Sequence, residues 1–121
     1  MAEFPALLRA YREESHLSQR ALAQITQINQ AILSRLESGD RGPSGAEQVL
    51  AIARALSLDR SRTDALLSSA GYWPQALIAL GPADETLLAV ARVLSDEAVP
   101  QARKQRFRRL VELLAEEWTS R

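Results

Sequence analysis

With 121 residues, the chain has room for one compact core or for a small domain with a helical appendage, and not for two full domains. The absence of cysteine excludes a disulfide framework and a thiolate metal site, and the single histidine, His16, cannot hold a metal unless several carboxylates converge on it. Lysine plus arginine and aspartate plus glutamate balance at 15 each, evenly on both sides of residue 73, so no global basic field advertises a polyanionic partner and any such case rests on local motifs.

The opening MAEFPALLRAYREE is charged and amphipathic, without an apolar stretch of signal-peptide length, and no later run approaches the roughly 18 apolar residues of a membrane span. A cytoplasmic protein with no membrane partner is expected. Phe4, Leu7, Leu8 and Tyr11 recur at helical spacing opposite Arg9, Arg12, Glu13 and Glu14, which predicts a first amphipathic helix to about Ser15, after which Leu17 turns inward. Ser18 caps a second helix, Gln19 to about Thr26, with Leu22 and Ile25 facing the core and Ala23 permitting a close crossing. Asn29 caps a third, with Ile28, Leu33 and Leu36 as the inner stripe and Gly39 as the stop; Gln30, Ala31, Ser34 and Arg35 are left outward.

Ser38-Gly-Asp-Arg-Gly-Pro43 is loop chemistry, and Ser44 followed by Glu47 has the spacing of a capping box. It opens a fourth helix carrying Val49, Leu50, Ala53 and Leu56. A fifth helix, about Arg62 to Ala70, follows Ser61 and is closed by Gly71, ahead of Tyr72 and Trp73, two aromatics expected in core or interdomain packing. Beyond Pro74 come a short apolar turn to Leu80, a Gly81-Pro82 break, a helix near Ala83 to Glu97 and a last one from Pro100 to about Thr119. In these two, Leu87, Val90, Ala91 and Leu94 match Phe107, Leu110, Val111, Leu114 and Trp118. Two such helices alone bury too little, so they are expected to dock on the first domain or on another subunit. The basic run Arg103 to Arg109 reads as a solvated face of the last helix. No glycine-rich phosphate loop and no nucleophile with its base is present, so neither an enzyme nor a cofactor is expected.

Residues Leu8 to Leu58, above all Leu17-Ser-Gln-Arg-Ala-Leu-Ala23, Asn29-Gln-Ala-Ile-Leu-Ser-Arg-Leu-Glu-Ser-Gly39 and Pro43-Ser44, resemble the Xre family of helix-turn-helix regulators, which includes phage repressors of the lambda type. The resemblance implies an all-α fold. Residues 1–73 are then expected to form a five-helix, repressor-like DNA-binding domain, residues 74–82 a linker or short helical turn, and residues 83–121 a C-terminal helical region for dimerisation. It also implies double-stranded DNA as partner. Base contacts fall on Asn29, Gln30, Ala31 and Arg35; phosphate contacts fall on Ser18, Gln19, Ser38, Arg41 and Arg12. Arg12 with Glu37 matches a pair that ties the first helix to the end of the third. Chemistry favours the same side chains, since Gln pairs bidentately with adenine and Arg with guanine, and Ala31 can meet a thymine methyl.

Gln27 stands where relatives often carry glycine, at about 1–2 kcal/mol of strain if the backbone there is left-handed. Thr26 replaces a usual apolar residue, and Asp40 replaces a basic one. The implied function is that of a homodimeric transcriptional regulator, a repressor, on a near-palindromic operator. The dimer is joined through Leu87, Val90, Leu94, Phe107, Leu110, Val111, Leu114 and Trp118. A helix-turn-helix interaction scaffold or antitoxin-like protein with a regulatory protein partner is the alternative.

Overall fold

The computed structural model describes residues 3–120, and all regular structure among them is helical. The helices run in order α1 (Phe4–Glu14), α2 (Gln19–Thr26), α3 (Gln30–Ser38), α4 (Ala46–Ala55), α5 (Arg60–Ser69), α6 (Gln75–Leu80), α7 (Glu85–Ser95) and α8 (Gln101–Thr119). The chain divides into two compact units, Met1–Ala79 and Leu80–Arg121.

In the first unit, α1 packs on α3 and α5, α2 on α3 and α4, and α4 on α5. Leu8, Leu22, Leu33, Leu36, Val49, Ile52, Leu66 and Leu67 are fully buried at the centre, and full burial of such a side chain is worth about 1.5–3 kcal/mol. Three helix ends share one device. Backbone turns left-handed at His16, Ser57 and Gly71. The next amide then reaches back across the last turn: Leu17 N to Arg12 O, Leu58 N to Ala53 O and Tyr72 N to Leu67 O. Leu17, Leu58 and Tyr72 thereby fold onto the core, the apolar contact that completes such a terminus. His16 thus has a conformational position at a helix end.

Four expectations are corrected. Ile25 is 56% exposed, because α2 presents Leu22 and Ala23 to its neighbours and leaves Ile25 on the free side. The Ser44–Glu47 capping box does not form. The helix begins one residue later, behind Gly45, so Gln48 takes the third helical position and its Oε1 accepts from Ser44 N at 3.0 Å. The fifth helix is capped by Asp59, whose Oδ1 accepts from Arg62 N at 2.8 Å, and so starts at Arg60, ahead of Ser61. Tyr72 packs on the core and its hydroxyl donates to Pro43 O at 3.5 Å, whereas Trp73 is 53% exposed.

The second unit is of a different kind: among its described residues no apolar side chain is buried. Asp84 caps α7 through Leu87 N at 3.0 Å. Val90, Leu94, Phe107 and Val111, with Arg108 and Glu112, line a groove of about 170 Å³ between α7 and α8. Leu110, Leu114 and Trp118 face outward.

Candidate nucleic-acid interface

Two short helices and a tight turn can present a helix to the major groove only if the turn is stiff and the second helix cannot roll. Both conditions are met locally. Ser18 Oγ accepts from Ala21 N at 3.0 Å and starts α2. At its other end, the Thr26 hydroxyl donates to Leu22 O at 2.8 Å and accepts from Ile28 N at 3.3 Å. The polar residue at this position is therefore a brace for the turn. Gln27 then takes φ 62°, ψ 19°, the left-handed conformation that usually favours glycine. Removing the Cβ conflict in Gln27→Gly, less the entropy that glycine adds to the unfolded chain, is expected to stabilise the first unit by about 0.5–1 kcal/mol. Denaturant melts check this, and a destabilised variant would show that the Gln27 side chain itself holds the turn.

Asn29 Oδ1 accepts from Ala31 N at 2.8 Å, so this side chain caps α3 and keeps only its amide nitrogen to offer outward. Leu33 and Leu36 lock the inner stripe, and Ile28 and Ile32 pack at its edge. What remains is a continuous exposed face of Gln30, Ala31, Ser34, Arg35 and Ser38. It follows the spacing i, i+1, i+4, i+5, i+8 of one side of a helix. The four residues expected to meet bases, Asn29, Gln30, Ala31 and Arg35, are brought together there.

Beneath this face lies a nearly dry charge network. Arg12 Nε donates to Glu37 Oε2 at 2.6 Å and its NH2 to Glu37 Oε1 at 2.8 Å, while NH1 donates to Leu17 O at 2.8 Å. Gln19 Nε2 adds a bond to Glu37 Oε1 at 3.2 Å. The side chains of Arg12 and Glu37 are 12% and 4% exposed, and the hydrogen bond and charge of Glu37 raise the Arg12 pKa against the opposing effect of burial. A forked pair of this geometry fixes direction as well as distance. It ties α1, the start of α2 and the last turn of α3 at one point. Arg12 and Gln19, both expected at phosphates, are thus partly committed inward: Arg12 directs two donors at Glu37 and one at Leu17 O, and Gln19 directs one at Glu37.

At the far end of α3, the Ser38 hydroxyl donates to Arg35 O at 3.1 Å and accepts from Asp40 N at 3.4 Å, beside the left-handed Gly39. Arg41 beyond it is exposed, as is Asp40. Two residues absent from the expected site join it. Ser34 completes the exposed face, and helical spacing from Gln30 was signal enough to place it. Arg20, in the first turn of α2, lines with Gln24, Gln27, Asn29 and Gln30 a groove of about 470 Å³ over Ala23 and Ile28. Its signal was only its position next to Gln19.

A family model described as a helix-turn-helix domain matches residues 3–66, more than half of the chain and every residue of this site. The chain belongs to this helix-turn-helix family. Comparison with curated proteins and with solved structures returned no match. The helix-turn-helix is a DNA-binding arrangement in which the second helix enters the major groove while the first crosses the backbone. In this chain the first and second helices of the motif correspond to α2 and α3. None of the described helices is long and apolar enough to cross a membrane.

Proposed function

We propose that this protein is an Xre-type, sequence-specific transcriptional regulator, a repressor, that binds a near-palindromic operator as a homodimer in the cytoplasm. The observation that carries the reading is the exposed face of α3. The side chains of Gln30 and Arg35 make no hydrogen bond among the described residues, on a helix whose cap, core stripe and buried Arg12–Glu37 pair deny it rotation. Gln30 offers an amide fork suited to adenine and Arg35 a guanidinium fork suited to guanine, with Ala31 between them for a thymine methyl. Arg41, Ser18, Ser38 and the remaining donors of Gln19 and Arg12 serve the phosphates, and Arg20 joins them. Residues 1–73 act as the reader, 74–82 as the connection and 83–121 as the dimerisation region. A two-fold dimer places the two α3 helices about 34 Å apart, in successive major grooves.

A second reading, a helix-turn-helix scaffold or antitoxin-like protein with a protein partner, draws on the exposed Ile25 and on Asp40, which weakens a phosphate contact. Selection of bound duplexes from a random library by the purified full chain separates the two. A regulator enriches a two-fold symmetric motif. A folded protein that enriches nothing at low salt removes the operator reading and leaves the scaffold.

A further inference from the structure

The outward side of α8 carries Arg106, Leu110, Leu113 and Glu117 at i, i+4, i+7 and i+11, one helical face with a cation at one end, leucines in the middle and an anion at the other. Leu110 and Leu113 are 54% and 43% exposed. The neighbouring Phe107 and Val111 turn toward the groove shared with α7. Arg109 pairs with Glu112 at 3.4 Å and Glu116 at 4.0 Å along the adjacent flank, about a quarter turn away, while neither Arg106 nor Glu117 meets an opposite charge among the described residues.

The charges also run against the helix itself. A helix dipole favours acids in the first turn and bases in the last. α8 has no acid in its first turn and no base in its last, and Arg103, Lys104, Arg106, Arg108 and Arg109 all precede Glu112, Glu116 and Glu117. The segregation is unfavourable within one helix and favourable between two that run in opposite directions.

We infer that α8 is a self-complementary surface whose occupant is α8 of a second copy, packed antiparallel about a two-fold axis passing between residues 111 and 112. This rests on the homodimer of the preceding reading and specifies its geometry. About that axis Arg106 of each copy faces Glu117 of the other, and Leu110 faces Leu113, so one face supplies two ion pairs and a leucine centre. A parallel pairing sets Arg106 against Arg106 and Glu117 against Glu117, two like-charge contacts at the seam. The two-fold contact is isologous, as a closed dimer requires.

The chain has no cysteine, so single thiols report the orientation directly. Arg106→Cys and Glu117→Cys are made in the full chain, at exposed positions, with circular dichroism to confirm the fold and light scattering to give the oligomeric state. In the antiparallel dimer each introduced thiol lies about 16 Å along the axis from its own counterpart, at 1.5 Å per residue, well beyond the roughly 7 Å between Cα atoms that a disulfide spans. Each variant alone stays unlinked on oxidation, and the mixture of the two gives the mixed disulfide. Self-linking of either variant alone overturns the inference in favour of a parallel pair. A protein that scatters as a dimer yet links in no combination overturns it in favour of another interface, with the regulator reading intact. A monomer removes this geometry and the homodimer together, while the library selection still decides DNA binding. As a second measure, Arg106→Glu and Glu117→Arg each weaken the dimer, and the double variant restores it.

Discussion

Replacing Arg12 by alanine is expected to lower the unfolding free energy of the first unit by about 3–5 kcal/mol. The size follows from what is left behind. The Glu37 side chain is 4% exposed, and without Arg12 its charge retains only the bond from Gln19 at 3.2 Å. Leu17 O loses its donor as well. A domain of this size has a total stability of the same order, so Arg12→Ala is expected to be largely unfolded near 37 °C. The double variant Arg12→Met/Glu37→Leu removes both charges and is expected to recover most of the loss, because a buried pair is often replaceable by apolar side chains of similar volume. Urea melts of the three proteins check this. An Arg12→Ala variant within 1 kcal/mol of the parent would mean that the pair is hydrated and does not fix α3.

Gln30→Ala and Arg35→Ala behave in the opposite way. Each is expected to weaken operator binding by about 1–3 kcal/mol, roughly 5- to 150-fold, and to relax preference at one base pair. Both leave stability within about 0.5 kcal/mol, since exposed side chains away from caps and networks carry little of it. Titration of the selected operator, beside a scrambled duplex at the same salt, measures both numbers. Equal losses on the two duplexes would assign these residues to the backbone rather than to bases. Asn29 gives no such clean answer, because its side chain caps α3 and its truncation moves binding and folding together.

The pattern of the chain predicted most of the first unit because its signals were local. Ser18 and Asn29 accept the capping bonds expected of them, Gly39 and Gly71 turn left-handed, and the leucines at helical spacing are the core. What was not readable depended on competition between neighbours. Ser44 and Glu47 have capping spacing, but Gly45 sets the helix start and Gln48 inherits the role. Asp59 and Ser61 are both good caps, and Asp59 is used because the left-handed Ser57 sends Leu58 into the core, leaving the extended Asp59 to open the next helix. Helical spacing places Ile25 beside Leu22, and aromatic bulk at a domain edge suggests a covered Trp73, but which side of α2 or of the α5 terminus meets a neighbour is a tertiary fact. At the site, spacing identified the outward residues of α3. It could not foresee that Gln19 donates to the same carboxylate as Arg12, since that convergence depends on how three helices cross.

The second unit, with no buried apolar side chain among its described residues, has a thermodynamic consequence. Under the homodimer reading its ordering draws on association rather than on a core of its own, and mass action makes its stability rise with protein concentration. Below the dimer dissociation constant, the amount of operator-competent protein then varies with the square of the chain's abundance. Cellular copy number itself becomes an input, and a modest change in synthesis or degradation sharpens into a larger change in promoter occupancy without any small molecule being sensed.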